Sequence, residues 1–175
     1  HPLGRIRLSG CRVPAGALVG ETGMGMAIGL GTLDQMRPSV GAAACGMAAR
    51  ALAAAIKHTQ SRSQFDTTLA SMPLVRDSIA RMATDLDAAR LLTYRAAWQA
   101  DTMPGRTTLE SAMAKSFATE AAQRIVDQSL QLAGGVGLLV GHPLERLYRA
   151  VRGLRIYEGT TEIQRVAIAR VLLDG

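Results

Sequence analysis

Ile156-Tyr157-Glu158-Gly159-Thr160-Thr161-Glu162-Ile163-Gln164 places one carboxylate, Glu158, directly before a glycine and two hydroxyl residues. An apolar helical pattern follows at once in Ile163, Val166, Ile168, Val171 and Leu172. These are the marks of a helix start. Thr160 or Thr161 can cap free N–H groups, and the same groups can receive an anion such as a phosphate. The spacing therefore puts Glu158 at an exposed, dipole-influenced helix end and not in a helix interior. Taken alone, the stretch is equally well described as a solvated glutamate before a well-capped terminal helix.

Upstream of it, His142-Pro143 opens a short helix running to about Val151. Before that, a longer helix carries Leu109, Met113, Phe117, Ala121 and Ile125 on one face and stops at Gly134-Gly135, where glycine supplies a left-handed cap. Thr107 with Glu110 reads as its capping box, after a turn at Met103-Pro104-Gly105-Arg106. The clearest seam lies before that turn: Val75, Ile79, Met82, Leu86, Ala89, Thr93 and Ala96 repeat at alternating steps of four and three, with Pro73 suited to the first turn. Arg62 to Phe65 breaks the pattern, and Asp66 to Ser71 connects back to a first helix from about Met24 to Thr59. Pro38 predicts a kink or local break in that helix near Gln35 to Arg37, and Gly41 to Gly46 offers a small-residue face for close packing. Residues 1–22 differ, with Ile6, Leu8 and Cys11 to Val13 set among Gly4, Gly10, Pro14, Gly16 and Gly20 as strand and turn chemistry. The expected fold is all-α. Residues 23–175 form an up-and-down four-helix bundle with extra C-terminal helices, and residues 1–22 are a short β remnant that ends a preceding β-domain.

Composition agrees. Hydrophobic residues make up 48% of the 175 positions and aromatics only 3%, which favours closely packed helices over disorder or sheet. The formal charge is +6 and rests almost wholly on arginine, Lys57 and Lys115 being the only lysines. Such a balance suits phosphate-bearing ligands or an acidic carrier protein. A nucleic-acid-binding bundle is the weakest alternative, because the arginines are spread around the helices and not gathered with aromatics. Cys11 and Cys45 lie in unlike segments without a CxxC or nearby histidines, so the expectation is two buried thiols with no disulfide and no metal site. Neither a basic-then-apolar leader nor a run of eighteen apolar residues is read, giving a cytoplasmic expectation, with the mitochondrial matrix open because the chain starts at His1.

The motifs carry a resemblance. Leu33-Asp34-x-x-Arg37, Arg62-x-Gln64-Phe65, Ser111-Ala112-Met113-Ala114-Lys115, Gln131-x-x-Gly134-Gly135-x-Gly137, Arg149 and Tyr157 through Arg165 resemble, in order and spacing, the C-terminal helical domain of the acyl-CoA dehydrogenase family. The resemblance implies that Glu158 is the catalytic base, that Asp34, Arg37, Tyr157 and Gly159 contact the acyl-CoA, and that FAD is the cofactor. It further implies that Arg62, Gln64, Phe65, Gln131 and Gly135 reach the FAD of a neighbouring subunit, while Thr160 and Glu162 serve the subunit's own. A second acid found beside the matching arginine in some members is Met36 here, which leaves Glu158 as the base.

The implied reaction is α,β-dehydrogenation of an acyl-CoA by a dimer or tetramer that passes electrons to an electron-transfer flavoprotein, with no nucleic acid or membrane as partner. Acyl groups on a carrier protein and a flavin oxidase of the same fold are alternatives, and a non-catalytic helical oligomerisation module is the rival of another class. Asp66 in place of the family's Gly, Pro73, Ala150 and the added charge of Arg155 are departures that bear on substrate class.

Overall fold

The computed structural model describes residues 4–174. Among these the chain forms five α-helices: α1 (Gly25–Ser61), α2 (Pro73–Thr102), α3 (Thr108–Ala133), α4 (Pro143–Leu154) and α5 (Thr161–Asp174). A small antiparallel hairpin, β1 (Ser63–Gln64) and β2 (Thr67–Thr68), joins α1 to α2, with Ser63 opposite Thr68. The seam read in α2 is realised, since Met82, Leu86, Ala89, Thr93 and Ala96 are its buried residues. Arg124 bonds Asp85, Gln128 bonds Ser78 and Arg95 reaches Met113, so α2 and α3 run antiparallel; Asp34 meets Ser111 and Gly41 lies beside Ala114, so α3 points the same way as α1.

The core is built largely from alanine. Ala44, Ala48, Ala51 and Ala55 of α1 face Ala118, Ala121, Ala122 and Ile125 of α3, a spacing of small side chains that lets helix axes approach closely. Of the small-residue run, Gly41 and Ala44 point inward while Ala42, Ala43 and Gly46 face out. Gly41 is required where it stands, because a Cβ there would sit 2.9 Å from the Thr93 hydroxyl. One window of α1 reaches a mean hydropathy of 1.5, and 44% of it is buried in this packing.

Pro38 does not break α1, which is continuous from Gly25 to Ser61. Without an N–H, Pro38 leaves the Asp34 carbonyl lacking its usual helical donor. The Ser111 hydroxyl of α3 fills that gap, donating to the Asp34 carbonyl at 2.6 Å. The break in one helix is thus satisfied by its neighbour.

Other expectations change too. Residues 4–22 form no strand; their one regular piece is a 3-10 turn at Ala15–Ala17, and Ile6, Leu8, Val13, Leu18 and Val19 are exposed. A strand needs a backbone partner, and none of the described residues supplies one. The Thr107 capping box does not form, because Thr107 (φ −102°, ψ 36°) is outside the extended region an N-cap uses and its hydroxyl meets Ser111 instead. Cys45 is buried, with burial pushing its thiol pKa up, but Cys11 is exposed. α3 stops at Gly134 as read, but with φ +62° and ψ −151°, a positive-φ conformation open to glycine and distinct from the left-handed helical cap expected, and α4 opens with the His142 ring accepting from the Leu144 N–H.

Candidate active site

The turn between α4 and α5 is a left-handed pair. Glu158 has φ +56° and Gly159 φ +87°. Such a backbone costs a side-chain-bearing residue about 1–2 kcal/mol, so it persists only where the surroundings fix it. Here two buried side chains do so. Gln164 Nε2 donates to the Glu158 carbonyl at 3.0 Å and to the Gly159 carbonyl at 3.1 Å, and Lys115 Nζ donates to the Gly159 carbonyl at 2.6 Å. Glycine at 159 is favoured by its φ, and a Cβ there would stand 2.6 Å from Gln164 Nε2 and push that side chain off its bonds to the turn.

Glu158 is therefore not at an exposed helix end. It is half-buried, and its Oε2 is shielded from solvent without a hydrogen-bond donor among the described residues. No donor takes up its oxygen, and its own backbone N–H donates to no group among the described residues. Tyr157 packs against the core, and burial followed by the nearby Glu158 charge pushes its pKa up. Of the two candidate caps, Thr160 accepts from the Ile163 N–H at 3.4 Å, while the Thr161 hydroxyl donates to Glu120 at 2.7 Å. Glu162 is exposed, its carboxyl held below the ordinary value by its own backbone N–H and then by the Thr160 hydroxyl. Arg155 does not add a free positive charge, because its Nε lies 2.7 Å from Glu120 Oε1.

Asp34 and Arg37 are not the exposed helical ion pair that their spacing alone describes. They are 4% and 5% exposed and 2.7 Å apart. The Asp34 carboxylate also accepts from Arg106 Nε at 3.0 Å and from the Thr108 hydroxyl at 2.7 Å, so its oxygens are occupied within the chain. Among the described residues, Arg37 Nε is the buried side-chain donor left without a partner. Arg37 and Glu158 both act electrostatically on Lys115, which places α1, α3 and the α4–α5 turn around one buried centre.

The remaining candidates lie elsewhere. Arg62, the C-cap of α1, is 25 residues beyond Arg37, or about 37 Å along the helix. Phe65 and Asp66 form the tip of the hairpin with φ +54° and +60°, which gives a physical reason for glycine at position 66 in the family. Phe65 is 89% exposed, and among the described residues no side chain pairs with the Arg62 guanidinium. Gln131 and Gly135 occupy the same end of the bundle, lining a groove of about 550 Å3 with Gly134, Tyr148 and Arg149. One chain thus carries Glu158 at one end and the Arg62 and Gln131 clusters at the other.

The family model described as "Acyl-CoA dehydrogenase, C-terminal domain" matches residues 23–173. The chain belongs to the acyl-CoA dehydrogenase family. A probable acyl-CoA dehydrogenase of Mycobacterium tuberculosis is 39% identical over 172 residues, covering 98% of this chain and 44% of that protein. The mouse mitochondrial short-chain specific acyl-CoA dehydrogenase is 44% identical over 163 residues, covering 93% of this chain and 39% of its own length. Among solved structures, butyryl-CoA dehydrogenase of Megasphaera elsdenii superposes with a TM-score of 0.89 at 35% identity, over 92% of this chain and 42% of that one. The prolyl acyl carrier protein oxidase AnaB does so with a TM-score of 0.89 at 32% identity, over 95% and 44%. The chain spans less than half the length of these acyl-CoA dehydrogenase relatives.

Reading the sequence missed Lys115, Gln164, Glu120 and Arg155 as parts of this site. Lys115 had a signal, because it is in phase with Ser111, Ala118 and Ala122 on the buried face of α3. A charge on that stripe must be partnered, which marks it as part of a site.

Proposed function

We propose that this chain is the C-terminal part of an FAD-dependent enzyme that removes an α-proton and a β-hydride from an acyl-CoA thioester, with Glu158 as the base. The observation that carries the reading is the shielded, donor-free Oε2 of Glu158 on a turn clamped by Lys115 and Gln164. A carboxylate oxygen that accepts from no donor is open to take the α-proton. The Glu158 backbone N–H is a donor available to polarise the thioester carbonyl, which acidifies that proton. Arg37 Nε offers a second buried donor toward the ligand.

The unpaired guanidinium of Arg62 and the uncovered ring of Phe65 suit a pyrophosphate and a planar aromatic group, so the residues fit FAD. FAD, when bound, supplies the acceptor for the β-hydride. Gln64, Gln131, Gly135, Thr160 and Glu162 complete the proposed cofactor contacts, and Asp34, Tyr157 and Gly159 the substrate side. As the family resemblance implies, the hairpin serves the cofactor of another copy and the assembly is a homo-dimer or tetramer; the separation of about 37 Å along α1 between Arg62 and Arg37 supports this reading. In this reading the exposed apolar residues of 4–22 complete a β-domain, electrons leave to an electron-transfer flavoprotein, and the enzyme works in the cytoplasm.

Flavin-loaded full-length enzyme should be bleached by acyl-CoA under anaerobic conditions, and Glu158→Gln should abolish bleaching while flavin stays bound. Bleaching at the wild-type rate in that variant would remove Glu158 as base. The similarity to a prolyl acyl carrier protein oxidase supports a second reading, in which the acyl group is carried on a protein and oxygen is the final acceptor. Oxygen consumption with an acyl-carrier substrate and none with acyl-CoA would favour it.

A further inference from the structure

Lys115 is fully buried on α3, and among the described residues the one hydrogen bond that its ammonium makes goes to the Gly159 carbonyl. An ammonium group in such a place is unfavourable unless charge and donors are answered. The charges that face it are Glu158 on the α4–α5 turn, Arg37 on α1, Glu120 on α3 itself and Glu162 on α5. Burial pulls its pKa below the ordinary value and Arg37 adds to the fall, while Glu158 leads the carboxylates that oppose it. If packing were the only requirement, an apolar side chain of the same length would serve better. The chain instead keeps a cation beside Glu158 without a hydrogen bond to the carboxylate, leaving Oε2 open. Gln164 supplies the neutral half of the same clamp.

We propose that Lys115 is a positioning residue for Glu158: its bond to the Gly159 carbonyl fixes the left-handed turn, and its charge faces the neighbouring carboxylate without bonding its Oε2, which holds that oxygen in place and leaves it open. The proposal rests on the reading of Glu158 as the base. It predicts that bond and charge can be separated. Lys115→Gln keeps a donor for the carbonyl and loses the charge, whereas Lys115→Met loses both.

The test measures the titration of the Glu158 carboxyl by 13C NMR in ligand-free protein, beside the acid limb of kcat/KM in the flavin-loaded full-length enzyme. In both variants the acid limb and the carboxyl titration should move upward relative to wild type, since an opposite charge has been removed from beside the carboxylate. In the Met variant kcat should fall a further tenfold or more, on the order expected for a misplaced base. Midpoint and limb at their wild-type values, with only the melting temperature lowered, would show a purely structural lysine and overturn the proposal. Should neither variant fold, Glu158→Gln is the same shape as the native residue. In it the Lys115 Nζ midpoint, followed by 15N NMR, should drop, and an unmoved midpoint would refute the coupling. Turnover that survives Glu158→Gln while the Lys115 midpoint still drops would instead sink the base assignment, and the positioning role with it, leaving only an electrostatic pair.

Discussion

Ser111→Ala tests how α1 tolerates a proline in its interior. The Ser111 hydroxyl is fully buried and is the donor that reaches the Asp34 carbonyl across from α3, where Pro38 offers no N–H. Removing it leaves a buried carbonyl without a partner, at a cost of about 1–3 kcal/mol. With an unfolding entropy of about 2.1 cal/mol/K per residue, the 175 residues give about 0.37 kcal/mol/K, so the melting temperature should fall by roughly 3–8 °C. Thermal unfolding followed by circular dichroism, with urea midpoints as a second measure, reads the change directly. The mechanism makes a sharper demand through the double mutant. Pro38→Ala restores the missing N–H, so in that background Ser111→Ala should cost less than about 1 kcal/mol, the net worth of an ordinary hydrogen bond. Equal losses in both backgrounds would refute the idea that Ser111 compensates for the proline.

Asp34→Ala should destabilise by about 3–5 kcal/mol, because it strands the buried Arg37 guanidinium; adding Arg37→Met should recover most of the loss, and no recovery would mean the charge is not the cause. Gly159→Ala forces a Cβ to within 2.6 Å of Gln164 Nε2 at φ +87°, and should slow substrate-induced flavin bleaching at least tenfold, on the order seen when a catalytic group is displaced. A wild-type rate would show that the turn is looser than its clamp implies. Between the lowered pKa of folded Lys115 and its ordinary value of 10.5, the unfolded chain holds a proton that the native chain has lost, so stability from this group rises with pH. Tyr157 and Cys45, both raised, act in the opposite sense above 10.0 and 9.0 but are shared with Lys115→Met. The stability of wild type relative to that variant should therefore climb through the alkaline range in urea titrations, and a flat difference would count against a buried, charged Lys115.

What the sequence shows and what it hides divides along the range of the interactions. The α2 seam, the Gly134 stop and the Pro73 start depend on neighbours within a turn or two, and residue order displays them. The burial of Asp34 depends on Arg106 and Thr108, more than seventy residues away, so its local ion-pair spacing with Arg37 suggested an exposed site. Glu158 was legible as a candidate through its motif, but its shielding comes from α3 packing behind the turn. The uninterrupted course of α1 through Pro38 needed Ser111, which no local rule could supply. The strand chemistry of residues 4–22 is real as composition, and without partner backbone it has nothing to pair with among the described residues.

Helix α3 works as a ruler. Ser111 fixes α1 through Asp34, Lys115 fixes the turn through Gly159, and Glu120 fixes the start of α5 and the end of α4 through Thr161 and Arg155. These attachment points are nine helical steps apart on one rod, about 13.5 Å, so the distance between the two sides of the candidate site is set by helix pitch and not by loop length. One residue inserted between Ser111 and Glu120 would turn everything beyond it by about 100° and advance it by about 1.5 Å, parting the attachments from their partners. The same insertion between Met103 and Gly105 would leave the scale unchanged, so length variation in relatives of this chain has room before α3 and none inside that span.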